Sequence, residues 1–250
     1  MAGPRMSAAG RAAHGRRFGT AGEVYDAVRP GYPASVVAAI AADGPVVCDL
    51  GAGTGKLTSA LLAAGVEVHA IDPDAEALTR NPGRTQVGTA EAVPLPDAAV
   101  DAVVVAQAWH WMDPEAAAAE IARVLRPGGA VWIVLNQLDV RVDWVLRLSR
   151  IMHAGDVYRP EWRPELGPRF GEVAASITPF STPVDVDGIV ALAATRSYWL
   201  RSDTRTRERV ERNIRWYFGE EHPVGEDERI DLPYLCLSFR AERLTNPRIR

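Results

Sequence analysis

Glycines at positions 51, 53 and 55, aspartates at 49 and 72 and a histidine at 110 are the residues whose types and spacing could do chemistry. A turn without side chains at alternate positions lets backbone approach a ligand closely and supplies positive φ where a bend needs it. If a helix opens behind that turn, at Lys56 and Leu57, its free N–H groups suit an anionic or carboxylate-bearing group. Asp72, about 20 residues beyond the glycines, offers a carboxylate that accepts two hydroxyl hydrogen bonds at once, as a ribose diol requires. Taken alone, Asp72 is equally the first residue of a turn, Asp72-Pro73-Asp74. A neutral imidazole at His110 could remove a proton from a hydroxyl or phenol, or orient a carboxylate that is already ionised. Its neighbours Trp109 and Trp111 leave structural packing as a third role.

Spacing separates the ligands that such a glycine turn could serve. A phosphate-binding P-loop places four residues between its first glycine and the Gly-Lys pair, followed by Ser or Thr. Here Gly51 is followed by three residues, then Gly55-Lys56 and Leu57, so that chemistry fails. A dinucleotide loop wants Gly-x-Gly-x-x-Gly, and the third glycine position is Lys56.

The elements that must position these residues can be read from hydrophobic periodicity. Val46, Val47, Cys48 and Leu50 form a short buried strand after Gly44-Pro45, and Leu57, Leu61 and Leu62 recur at helical spacing until Gly65. Residues 66–71 alternate as a second strand ending at Asp72. A third lies near 85–88, followed by an extended loop through Ala90, Glu91, Pro94 and Pro96, because proline biases its predecessor away from helix. Residues 100–105 make a fourth strand leading to Gln107 and the Trp-His-Trp run. Asp113 caps the next helix with Pro114 at its first position, and that helix runs to about Leu125 and stops at Arg126-Pro127-Gly128-Gly129. Residues 130–135 form a fifth strand. The alternation predicts a parallel doubly wound α/β sheet with its ligand outside the carboxyl ends of the strands.

In this order, Asp49-Leu50-Gly51-Ala52-Gly53-Thr54-Gly55, the acid at 72, the Ala90-Glu91 loop with Leu95-Pro96, and the turn at 123–129 resemble class I S-adenosylmethionine (SAM)-dependent methyltransferases. The His-Trp pair after the fourth strand is similar to the small-molecule branch that includes trans-aconitate and juvenile-hormone-acid methyltransferases. The resemblance covers about residues 23–136. It implies a Rossmann-like seven-stranded sheet whose last strand runs antiparallel between strands five and six, with a helical cap over the substrate site. It implies SAM as cofactor and S-adenosylhomocysteine (SAH) as product. The cofactor would be held by Tyr25, Arg29, Asp49, Gly51, Ala52, Gly53, Gly55, Asp72, Pro73, Ala90, Glu91 and Gln107. Within that set the glycines border the methionine part, Asp72 takes the ribose, and Ala90 and Glu91 flank the adenine. His110 is the expected catalytic residue, as base or orienter. Tyr32, Trp111, Trp144 and Trp199 are the expected substrate contacts, drawn from seven tryptophans that lie mostly outside the sheet and could line an apolar pocket or simply fill the core.

The rest of the chain divides as a disordered tail (1–19), an N-terminal helical lid (20–44), the cofactor core (45–136) and a cap insertion with the final strands (137–250). The tail lacks acids and the apolar core of a secretory signal, with an organelle transit peptide as the alternative reading. Strands are expected at 178–184 and 232–239 and a short helix at 186–194. Residues 196–215 carry Arg196, Arg201, Arg205, Arg207, Arg209, Arg212 and Arg215; the pairs Glu208/Arg212 and Glu211/Arg215 suit a solvated, salt-bridged helix, and an anion-binding wall is the competing reading.

Composition bounds the partners. The chain has 250 residues and a net charge of −4, no run that reaches a membrane span, and no Asn-Pro-Pro-Tyr sequence of base methylation, so neither lipid nor nucleic acid is expected. Cys48 and Cys236 lie in apolar runs without metal-ligand spacing, and His110 with Asp113 is too poor a set for a metal. A cytoplasmic monomer or homodimer acting on a small organic acceptor is expected. Oxygen is the favoured acceptor atom, carboxylate or hydroxyl, with a small heterocycle or amine nitrogen and a non-catalytic cofactor-binding scaffold as alternatives. A nicotinamide dehydrogenase is disfavoured by Lys56.

Overall fold

The computed structural model describes residues 28–155, 158–159, 161–225 and 228–245. Tyr25 and most of the N-terminal expectations therefore lie outside the described residues. Among those described, seven strands form one sheet: β1 (Val46–Leu50), β2 (Glu67–Asp72), β3 (Arg84–Val87), β4 (Val100–Ala106), β5 (Leu125–Leu138), β6 (Ala174–Val184) and β7 (Ile230–Glu242). The order is β3-β2-β1-β4-β5-β7-β6. The first five are parallel to their neighbours, and β7 pairs antiparallel with both β5 and β6. This is the expected α/β, Rossmann-like doubly wound architecture, with the last strand inserted antiparallel between the fifth and sixth.

The central strands are mostly apolar because helices cover both sheet faces. Their side chains alternate between two cores. Val47, Val68, Val104 and Val134 pack with α1 (Ala34–Ala41) and α2 (Lys56–Ala63) through Val37, Ile40, Leu57 and Leu61. Cys48, Leu50, Val103, Val105 and Ile133 face the other way, onto Ala117, Ile121 and Val124 of the helix Pro114–Val124. That helix is α4, following a single turn α3 (Ala75–Leu78). Asp113 caps α4, accepting the amides of Glu115 and Ala116, and Pro114 occupies its first position, where a missing N–H costs nothing.

Two boundaries differ from the sequence pattern for physical reasons. α4 ends at Val124 and β5 begins at Leu125, with pairing that jumps from Val100↔Leu125 to Ala102↔Ala130. Residues 126–129 thus loop out of the β4–β5 ladder inside a longer strand. Of the stretch 138–170, only α5 (Asp143–Ile151) is helical among the described residues, and Trp162 instead packs edge-on to Phe239 at 5.1 Å.

α6 (Val186–Ala194), α7 (Ser197–Arg201) and α8 (Thr204–Trp216) lie between β6 and β7 in sequence. With α5 they build a third core around Leu148, Ile189, Val210, Ile214 and Phe218. On α8, Val210 and Ile214 turn inward while Arg215 pairs with Glu211 at 3.0 Å and with Asp187 of α6 at 2.8 Å. The arginines of α8 thereby serve a polar outer face. Among the described residues no helix is long and apolar enough to cross a membrane.

Candidate functional site

The carboxyl ends of β1, β2 and β4 form a continuous rim. Gly51 has φ +78° and stands so close to the loop after β4 that an added Cβ would lie 2.6 Å from the Ala108 Cβ. Only glycine permits both that backbone and that approach. Gly53 donates its amide to the Asp72 carboxylate at 2.9 Å, and Asp74 donates to the other oxygen at 2.8 Å. The Gly88 amide donates to the Asp72 carbonyl at 3.2 Å, opening the loop that carries Ala90 and Glu91. Glu91 in turn accepts the Asp113 amide at 2.9 Å, which returns the rim to the Trp-His-Trp segment. Arg123 of α4 staples this loop by donating to the carbonyls of Val93 and Leu95, both at 2.8 Å.

Inside the rim, a cleft is lined by the expected residues Arg29, Tyr32, Asp49, Gly51, Ala52, Gly53 and Gln107. Asp49, next to last on β1, is 1% exposed. Its Oδ2 accepts the Thr58 hydroxyl at 2.7 Å, while Oδ1 has no hydrogen-bond partner among the described residues. Burial pushes its pKa up to about 6, against the pull of the Thr58 bond and with a smaller push from the Asp72 charge. The Asp72 carboxyl is also raised, chiefly by burial, although the amides of Asp74 and Gly53 favour its ionised form.

Other expected residues sit around the cleft instead of on its lining. Gly55 caps α2 in the left-handed region and faces Asn81 and Pro82. Pro73 follows Asp72 at the rim, Ala90 is buried in the core under the Glu91 loop, and Glu91 is exposed. His110 and Trp111 form a 3-10 turn (Trp109–Trp111) with rings 4.6 Å apart and tilted by 50°. That turn begins two residues beyond Gln107, on the segment that abuts Gly51. Trp144 stacks on His222 at 5.0 Å and meets Phe218 edge-on, and Trp199 packs on the same helical core. The structure thus puts these two tryptophans in the core shared by α5 to α8, and not among the residues lining this cleft.

The cleft also holds residues that periodicity did not single out as a site. The segment from Arg29 to Tyr32 crosses it, tied where Lys56 Nζ donates to the Arg29 carbonyl at 2.8 Å and Asn136 Nδ2 donates to the Gly31 carbonyl at 2.9 Å. Arg29 reaches Thr195 through two hydrogen bonds, Nε to the hydroxyl at 3.0 Å and Nη2 to the carbonyl at 3.2 Å. This sets Arg29 beside Arg196, which is 8% exposed and lines the cleft with Tyr234 of β7. Burial pushes the Tyr234 hydroxyl up to about 12 despite the opposing charges of Arg196 and Arg29, so it stays a protonated donor at neutral pH. Asn136 Oδ1, at the end of β5, is buried without a hydrogen-bond partner among the described residues. Arg196 and Tyr234 lie far along the chain; the anion-binding reading of residues 196–215 included Arg196 without distinguishing it from its neighbours, and Tyr234 read as part of an apolar strand.

Residues 48–133 match the family model described as a methyltransferase domain. An uncharacterized methyltransferase of Mycobacterium tuberculosis is 38% identical over 231 residues, covering 90% of this chain and 94% of its own length. Among solved structures, a putative type II methyltransferase from Anaeromyxobacter dehalogenans superposes with a TM-score of 0.61 at 24% identity, over 87% of this chain and 99% of that one. A phosphoethanolamine N-methyltransferase of Haemonchus contortus, solved with phosphomonomethylethanolamine and SAH, gives 0.53 at 14% identity over 96% and 61%. The chain belongs to the class I SAM-dependent methyltransferases.

Proposed function

We propose that this methyltransferase moves the methyl group of SAM to an oxygen atom of a small organic acceptor, a carboxylate or a hydroxyl, releasing SAH. The observation that carries the cofactor part of the reading is the orphaned Oδ1 of Asp49 beside the glycine turn, with Asp72 one strand away, and the oxygen acceptor rests on the resemblance of His110-Trp111 to the small-molecule branch. A buried carboxylate oxygen without a donor suits an ammonium group, and Asp72 retains lone pairs for a diol after accepting two amides. These residues fit SAM: Asp49 and Gly51 to Gly53 at its amino-acid end, Asp72 and Pro73 at the ribose, Ala90 and Glu91 along the adenine. Gln107 and Arg29 close the cleft over the amino-acid end, and Tyr25 belongs to the same expected set. The SAH in the Haemonchus enzyme agrees with this choice of cofactor.

Bound SAM supplies an activated methyl on a sulfonium. The protein's task is then alignment, and holding an acceptor in line can remove about 7–11 kcal/mol of barrier. His110, on the turn that follows β4, takes the proton of a hydroxyl acceptor or orients a carboxylate, and Trp111 and Tyr32 border the acceptor. Residues 20–44 act as lid and the α5 to α8 core as cap. Calorimetry with SAH and with NAD, then transfer from labelled SAM to a panel of acids, phenols and amines, tests the proposal. Tight SAH binding with transfer to oxygen is expected. Binding of NAD without SAH, or transfer only to nitrogen, overturns it.

A further inference from the structure

The cleft continues beyond the residues proposed to hold the cofactor. Asp72 and Gly51 follow β2 and β1, and Gln107 follows β4, so the cofactor residues occupy one end of the strand order. Asn136 lies on β5 and Tyr234 on β7, one and two strands further along the sheet. With neighbouring strands about 4.8 Å apart, Tyr234 stands roughly 10 Å beyond β4. That distance is too long for a group on Tyr234 to be the atom that receives the methyl, and it matches the length of a small acceptor.

Two kinds of polar group line that part of the cleft. Arg196, whose Nη1 donates to the Ala154 carbonyl at 3.3 Å, and the Tyr234 hydroxyl are donors, with Arg29 fixed alongside through Thr195. A guanidinium and a phenol together present the planar, charge-assisted donor set that a carboxylate accepts. Asn136 Oδ1 is an acceptor, and its orientation follows from the Nδ2 bond to the Gly31 carbonyl. Asn136 lies on β5, between β4 and β7, and lines the same cleft.

We infer that the acceptor is a small hydroxy acid, whose carboxylate anchors on Arg196 and Tyr234 and whose hydroxyl donates to Asn136 Oδ1 on the cofactor side. This rests on the function proposed above and narrows it: the hydroxyl is methylated and the carboxylate is the handle. In the transfer, the hydroxyl proton turns from Asn136 Oδ1 to His110, which takes it as the hydroxyl oxygen forms the new C–O bond, the C–S bond breaks and the sulfur keeps that electron pair. Asn136 positions the nucleophile and is not itself a base. Arg196 and Tyr234 decide which acceptors enter.

The test uses the full chain saturated with SAH, whose binding is measured first. Failure of SAH to bind would sink the cofactor reading and this inference with it, whereas the acceptor results below, obtained with SAH bound, bear on this inference alone. The SAH complex is then titrated with 4-hydroxyphenylacetate and 3-hydroxybutyrate, their methyl esters, 4-aminophenylacetate and phenyl phosphate. At least one hydroxy acid should bind about tenfold or more tightly than its ester, the value of one charge-assisted contact. Arg196→Gln should erase that difference while SAH affinity stays within about twofold. Tyr234→Phe, which keeps the ring stacked on Phe180 at 5.4 Å, should lower acid affinity several-fold and serves if Arg196→Gln does not fold. Labelled SAM should then methylate the hydroxyl of the acid that binds. Acid and ester binding alike, no acid binding at all, or a parallel loss of SAH affinity in Arg196→Gln would overturn the inference. Preference for phenyl phosphate would overturn the carboxylate, and preference for the amine would overturn the hydroxyl.

Discussion

The Gly53 amide donates to the Asp72 carboxylate at 2.9 Å, so the turn after β1 and the acid that ends β2 are joined directly. The two anchors proposed for opposite ends of one cofactor therefore share a wall. Asp72→Ala removes the acceptor of two backbone amides as well as the proposed ribose contact. SAH affinity should fall by about 1–3 kcal/mol, with the larger value if Gly53 also shifts. Calorimetry reads this, and an unchanged affinity would take Asp72 out of the site.

Asp49 makes both stability and ligand binding depend on pH. Its folded pKa of about 6 lies above the ordinary 3.8, so between these values the folded chain holds more protons than the unfolded one. Stability must therefore fall as pH rises through that window and level off above it. The total is on the order of 3 kcal/mol. A bound ammonium favours the ionised carboxylate, so SAH affinity should rise as pH climbs past 6. Denaturant melts and SAH titrations at pH 5 to 8 follow both trends, and Asp49→Asn should flatten them.

Gly51 and Gly53 separate packing from ligand space. Gly51→Ala would drive a Cβ to 2.6 Å from that of Ala108 at φ +78°, which should cost about 2–4 kcal/mol of stability and lower the melting temperature. Gly53 has φ +51° and nothing within 4 Å of an added Cβ, so Gly53→Ala should lose only about 1–2 kcal/mol. Its methyl nevertheless enters the cleft, and SAH affinity should drop while the fold persists. Equal melting points for the two variants would contradict this assignment of roles.

His110→Ala should slow turnover and leave SAH affinity intact. Rate losses of about 10²- to 10⁴-fold mark a proton acceptor for a hydroxyl nucleophile. A loss that shrinks as pH rises, when water can take the proton, would mark the same role. Wild-type rates would assign His110 to packing against Trp111.

Much of this protein is local in its sequence. The apolar runs at β1, β4 and β5, the Asp113-Pro114 start of α4 and the glycine turn each declare themselves within a few residues, because strand burial, capping and positive φ are short-range requirements. Their order along the chain was enough for the parallel sheet, and the resemblance added the antiparallel final strand. Asp72 was legible for the same reason, since the acid at the end of a second strand needs only the strand to place it.

Arg196, Tyr234 and Asn136 needed the tertiary structure. Arg196 belongs to a stretch whose arginines are mostly explained by a solvated helix, and its burial follows from the packing of α5 to α8 and from Thr195 holding Arg29. Tyr234 reads as one more apolar strand residue until the antiparallel insertion of β7 sets it opposite Leu138, at the open end of the sheet. Trp144 and Trp199 show the converse: composition marked them for a pocket, but helix packing claimed their rings. Sequence spacing settled which elements form and pointed to the carboxyl ends of the strands as the binding end. Which distant side chains meet across that end depended on strand order and helix packing, because both bring together residues as far apart in the chain as Arg29 and Thr195, 166 positions.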